Sequence, residues 1–235
     1  MTGNRHLKNE IDWLFRLYRL LSQIGEKQSV THPQNVEVAL RLAIPIHLVQ
    51  FVLAIEDKRF WVHPGIDPIG IGRAAIMHLR CSDQRQGAST IPEQVLKLRR
   101  RNAHNKSLSE RIRRASSSLR LSLRESRTDI LVEYLQSVYL GGSCYGLSSA
   151  ARKYFGCLHS ELSPAQSFFI SERIASPNMW RSGRLKNILH RAIIRKLLSS
   201  ELNNLPIIYG NFFGRDAKND LSMIISQITD DRNEG

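Results

Sequence analysis

The sequence predicts a mainly α fold, and three observations carry that prediction. Apolar residues recur at helical spacing in one segment after another. Cap and first-turn residues stand where those segments begin, among them Ser126 with Asp129 three places on and Ser163 before Pro164. Runs of strand type are scarce, and Leu205 to Tyr209 is the single candidate.

Taken in order, Ile11, Leu14, Phe15, Tyr18, Leu21 and Ile24 form an apolar stripe with arginines elsewhere on the helix. Its Trp13 and arginines suit a membrane interface, but the stripe suits better a face packed on the domain or a partner. Thr31 to Asn35 breaks the pattern. A buried helix from about Ile46 to Glu56 follows, because Val36 to Ile55 is mostly apolar. The cluster Pro64-Gly65-Ile66-Asp67-Pro68 makes a turn before a helix from Ile69 to Leu79. Cys81 to Ala88 reads as a polar loop.

Pro92 fits the first turn of a helix capped by Ser89 or Thr90 and running to about Leu98. Leu98 to Lys106 is basic and loop-like. Helical periodicity returns over Ser107 to Ser122 and Ser126 to Tyr139, where Gly141-Gly142 ends it. Further helices are expected over Leu147 to Tyr154, Ser163 to Ile174 and Leu185 to Leu198. Beyond Asp216 the signals weaken, so the C-terminus is expected to fray. The resulting organisation is an N-terminal amphipathic helix and linker at 1–35, one main domain at 36–215 and a weakly structured tail at 216–235.

The 34 basic and 21 acidic residues give a net charge of +13, which favours anionic partners: nucleic acid, anionic lipid or phosphate-bearing substrates. No nucleic-acid-binding motif accompanies the charge, so nucleic acid is not expected. Cys81, Cys144 and Cys157 are odd in number and lack metal-ligand spacing, which argues against a disulfide or zinc framework. No stretch approaches the ~20 apolar residues of a membrane span, and no signal-peptide pattern is found.

Three segments carry a resemblance. The first is Ala54-Ile55-Glu56-Asp57-Lys58-Arg59-Phe60-Trp61-Val62-His63-Pro64-Gly65-Ile66-Asp67. The second is Gln86-Gly87-Ala88-Ser89-Thr90-Ile91-Pro92-Glu93-Gln94-Val95-Leu96-Lys97. The third runs from Ile130 through Tyr134-Leu135-Gln136 to Gly141, with Tyr145-Gly146 and Tyr154-Phe155-Gly156 downstream. Together they resemble the family-51 peptidoglycan glycosyltransferases, which include monofunctional transglycosylases and the transglycosylase domains of class A penicillin-binding proteins. The second segment departs from the family pattern at Ala88, Pro92 and Glu93, and the third at Gln136. Counted back without gaps, the family's Arg-Lys-x-x-Glu motif falls on Glu110 to Arg114, so Arg114 stands at the expected glutamate and Glu110 at the expected arginine; a shift of one residue puts Ala115 there instead, and neither alignment restores the carboxylate.

The resemblance implies a lysozyme-like transglycosylase domain with a substrate cleft, polymerising lipid II with release of undecaprenyl pyrophosphate. It assigns the general base to Glu56, at the end of an apolar helix. Substrate-binding roles fall to Asp57, Ser89, Thr90, Gln94, Lys97, Lys106, Arg111 and Arg114, where cations and short donors suit a pyrophosphate. Capping is an equally good reading of Ser89. His63 reads as structural. If the segment is helical, Glu110 lies about 6 Å along the axis from Arg114, near enough for a displaced carboxylate.

No cofactor is certain, and the resemblance admits a divalent cation, Mg or Mn. The partners it implies are lipid II, nascent glycan chains, the membrane surface and cell-wall synthesis proteins, at the outer (periplasmic) face of the cytoplasmic membrane. Two readings of function stay open: a peptidoglycan glycosyltransferase, active or weakened, and a catalytically inactive relative that binds lipid-linked glycan or a cell-wall synthesis partner. Arg114 is the residue that separates them.

Overall fold

The computed structural model describes residues 26–80, 89–100 and 108–230. It is 75% helical, and no strand occurs among the described residues. The amphipathic stripe expected at 11–24, the loop at 81–88, and Lys106 lie outside the described residues. The chain divides into two compact units, one of residues 57–131 with the segment before 33, the other of 33–56 with 132–235.

In the second unit, α1 (Gln34–Leu42) leads through left-handed Ala43 into α2 (Ile46–Glu56). The apolar run of α2 is a buried helix, as its sequence predicts: Leu48, Val49, Phe51, Val52, Leu53 and Ala54 have no exposed surface. Its main neighbour is α8 (Pro164–Arg173), where the Phe51 and Phe168 rings meet edge to face at 5.5 Å. Helix α8 opens as expected with Ser163 as cap, Gln166 closing the capping box and Pro164 at the first turn.

Helix α6 (Arg127–Ser137) leads into a hairpin-like turn in which Tyr139 and Tyr145 bridge. Gly146 closes the turn at φ +74°, and a Cβ there would lie 2.2 Å from the Gln136 carbonyl oxygen, so only glycine fits. Then come α7 (Leu147–Phe155), α9 (Ser182–Leu189) and α10 (Ala192–Leu198). The single helix expected over Leu185 to Leu198 is thus two, parted at His190 and Arg191.

The strand expected at Leu205 to Tyr209 is instead the start of α11 (Leu205–Phe213). Pro206 occupies its first turn, and Leu205, Pro206 and Tyr209 are buried on one face. Packing on α8 and α12 overrides the strand preference of Ile207, Ile208 and Tyr209. The segment expected to be a weak tail is α12 (Arg215–Asp230), which buries Ala217, Leu221, Ile224, Ile225 and Ile228 at strict helical spacing. Residues 231–235 lie outside the described residues.

Between these helices Arg173 is 1% exposed, ion-paired to Glu172 and stacked 4.6 Å from the Phe213 ring centroid. The Tyr209 hydroxyl reaches Glu172 at 3.4 Å, and burial drives its pKa well above the usual phenol value. Buried charges need such partners, and here they form the joint between α8 and α11.

In the first unit, α4 (Ile91–Arg99) packs on α5 (Leu108–Arg124), and α3 (Pro68–Arg80) follows the loop 57–67. Residues 26–31 are helical, and this segment with His32 meets that loop: Lys58 lies 3.2 Å from Glu26, and the His32 and Trp61 rings stack at 4.7 Å. No single described helix is long and apolar enough to cross a membrane.

Candidate active site

Glu56 is the last residue of α2, which the apolar core holds rigidly. Its side chain is 11% exposed, and Arg184 of α9 approaches its Oε1 to 3.6 Å. Arg191 donates to the carbonyl oxygen of Ala54 at 2.6 Å and fixes the last turn of the helix. These contacts lie within the second unit. An apolar helix delivering a carboxylate to a position beside a partly exposed guanidinium suits a proton acceptor.

Asp57, which begins the first unit, is turned inward. Both its oxygens lie 3.0 Å from Nε2 of His63, and Oδ2 accepts from the Ile91 amide at 2.9 Å. The Gly65 amide donates to Nδ1 of His63 at 3.1 Å, so Nε2 carries the proton that Asp57 accepts. Asp57 therefore joins the loop to the start of α4. Arg59 and Asp67 close the same loop with paired contacts of 2.9 and 2.5 Å. Gly65, at φ +110°, accepts at its carbonyl from Thr90 and Ser118, both at 2.7 Å. Arg127 donates to the Phe60 and His63 carbonyls.

Helix α4 carries the next group of expected residues. Thr90 is its N-cap, and its hydroxyl is engaged by Gly65 and the Glu93 amide. Ser89 accepts from Nζ of Lys97 at 3.0 Å, one contact that the capping reading of Ser89 does not require. Gln94 is half-buried, with its amide on the Thr90 carbonyl at 3.0 Å. Burial pushes the Lys97 ammonium below its ordinary pKa, Arg114 adds to that, and Glu93 opposes it. Burial pushes the Glu93 carboxyl above its ordinary value, against the pull of Lys97 and Arg114.

The structure thus brings together Ser89, Lys97 and Arg114, and adds Glu93, which sequence reading marked only as a departure from a pattern. Spacing on one helix made the Glu93–Lys97 pair foreseeable; Arg114 arrives from α5 and carries no local signal. Glu110 pairs with Arg113, Oε2 lying 2.8 Å from Nε and 2.6 Å from a terminal nitrogen. The Arg111 side chain and Lys106 lie outside what is described. Arg184 was missed as well, because nothing near Glu56 in sequence announces it.

No group of three or more His, Cys, Asp or Glu side chains gathers as a metal site among the described residues. A divalent cation next to Glu93 would meet Lys97 and Arg114, and that charge set does not fit it.

The transglycosylase family model matches residues 22–197. The chain belongs to the transglycosylase family. Among curated relatives, penicillin-binding protein 1A of Haemophilus influenzae is 30% identical over 212 residues, covering 83% of this chain and 23% of that protein. Penicillin-binding protein 1A of Escherichia coli is 36% identical over 140 residues, 58% of this chain and 15% of that protein. The Aquifex aeolicus protein of the same name is 38% identical over 116 residues, 48% of the chain and 15% of its own length. The chain therefore spans less than a quarter of these relatives. As the family resemblance implies, the chain is mainly α.

Proposed function

We propose that this transglycosylase is a peptidoglycan glycosyltransferase that polymerises lipid II at the outer face of the cytoplasmic membrane. The observation that carries the reading is Glu56, a carboxylate delivered by a buried helix to the side of Arg184 within the family's strongest motif. In this reaction the 4-hydroxyl oxygen of one disaccharide attacks the anomeric carbon of the growing chain. The new glycosidic bond forms as the bond to undecaprenyl pyrophosphate breaks, with inversion, and the hydroxyl proton passes to Glu56. Ser89, Lys97 and Arg114 supply donors and positive charge for the departing pyrophosphate. Asp57 and Thr90 act at one remove, by holding the loop to α4.

A second reading is favoured by Arg114, an arginine where the resemblance expects a glutamate: a relative that keeps lipid-linked glycan or a cell-wall synthesis partner bound without turnover. Incubating the purified chain with labelled lipid II decides between them. Polymer that disappears in Glu56→Gln supports the enzyme, whereas binding without polymer in the unmodified chain supports the second reading and overturns the first.

A further inference from the structure

Glu93, Lys97 and Arg114 form a set of charges that influence one another without closing. Glu93 and Lys97 lie one turn apart on α4, and Arg114 faces them from α5, against which α4 packs. Lys97 and Arg114 both act on the Glu93 carboxylate, yet no direct ion pair joins the three. Lys97 spends a hydrogen bond on Ser89, and Nε of Arg114 is buried with no hydrogen-bond partner. A buried guanidinium donor without a partner costs stability unless an acceptor fills its place. The arrangement has two cations, one carboxylate and an unmet donor, which is one negative group short of balance.

We propose that Glu93 is an internal counter-ion, displaced from Lys97 and Arg114 when an anionic diphosphate group binds, so that the charge on Glu93 sets the affinity of this site. The proposal deepens the lipid-diphosphate reading above and rests on it. Ionised, Glu93 competes with the ligand for both cations; protonated, it releases them. Burial raises the Glu93 carboxyl above its ordinary value, against the pull of Lys97 and Arg114. The other groups acting on Glu93 are Asp57 and His63 from the loop, with Asp57 held by His63 and the Ile91 amide and so unable to take its place.

The test is calorimetric titration of the whole chain with P1,P2-dimethyl diphosphate, a ligand whose own charge stays fixed between about pH 5.5 and about pH 8. The wild-type chain is expected to bind tighter at the lower pH, where the raised Glu93 carboxyl is more fully protonated. Glu93→Gln is expected to bind roughly five- to tenfold tighter than wild type at the higher pH, the scale of one partly screened charge contact, and to lose the dependence. Arg114→Gln, a second variant that keeps Glu93, is expected to weaken binding several-fold. Unchanged or weaker binding by Glu93→Gln, a pH dependence that survives it, or no diphosphate binding by any variant overturns the proposal. Absent polymerisation with these shifts intact overturns the enzyme reading alone.

Discussion

Arg184 stands beside Glu56: a terminal guanidinium nitrogen on α9 lies 3.6 Å from the carboxylate that ends α2. The arginine is 38% exposed, and solvent screens such pairs to about 1 kcal/mol or less. Two outcomes of different size follow. Glu56→Gln is expected to abolish lipid II polymerisation with little change in melting temperature. Arg184→Gln is expected to slow it by no more than about fivefold, since about 1 kcal/mol of barrier is at stake. Both are read from polymer formed per minute; equal losses for the two would mean that Arg184 itself touches the reacting groups.

Asp57 answers to stability before activity. Asp57→Ala strands the Ile91 amide and the His63 Nε2 proton in a buried place, which costs about 2–4 kcal/mol. Chemical denaturation measures this directly. A variant as stable as wild type would show that the loop is held chiefly by Arg59–Asp67 and Arg127.

Asp67 gives the fold an acid limit. Burial raises its carboxyl, but the Arg59 hydrogen bonds and charge and the Gly70 amide override this and hold it below its ordinary value of 3.8. A carboxyl depressed in the folded state stabilises above its unfolded value, and that contribution is lost as pH falls through the depressed one. Stability of the wild-type chain is therefore expected to drop below about pH 4, and Asp67→Asn to be less stable at pH 7 with a flatter acid limb. Thermal melts across that range test it; parallel curves for the two proteins would exclude Asp67 as the source.

The last helix belongs to the core. Leu221 has no exposed surface, and Leu221→Ala is expected to cost about 2–5 kcal/mol, the usual range for a fully buried leucine. An effect under about 0.5 kcal/mol would return 216–230 to the peripheral status that its sequence suggests.

Why that suggestion arose is physical. Ala217, Leu221, Ile224, Ile225 and Ile228 have helical spacing, but polar and charged neighbours dilute the stripe, and nothing local marks the partner that covers it. Leu205 to Tyr209 misled in the opposite sense: its β-branched and aromatic residues fit a strand until Pro206 and the faces of α8 and α12 decide otherwise. Helices α2 and α8 were legible because composition, caps and burial agree in them. The candidate site divides along the same line. Glu56 and the α4 residues sit in a continuous motif; the encounters of Arg114 with Glu93 and of Arg184 with Glu56 exist only once helices distant in sequence have packed.

The ties between residues 26–32 and the loop at 58–61 close a ring of chain. Glu26 pairs with Lys58 and His32 stacks on Trp61, so the loop that follows Glu56 is gripped from the chain that precedes α1 as well as from the chain that continues into α3.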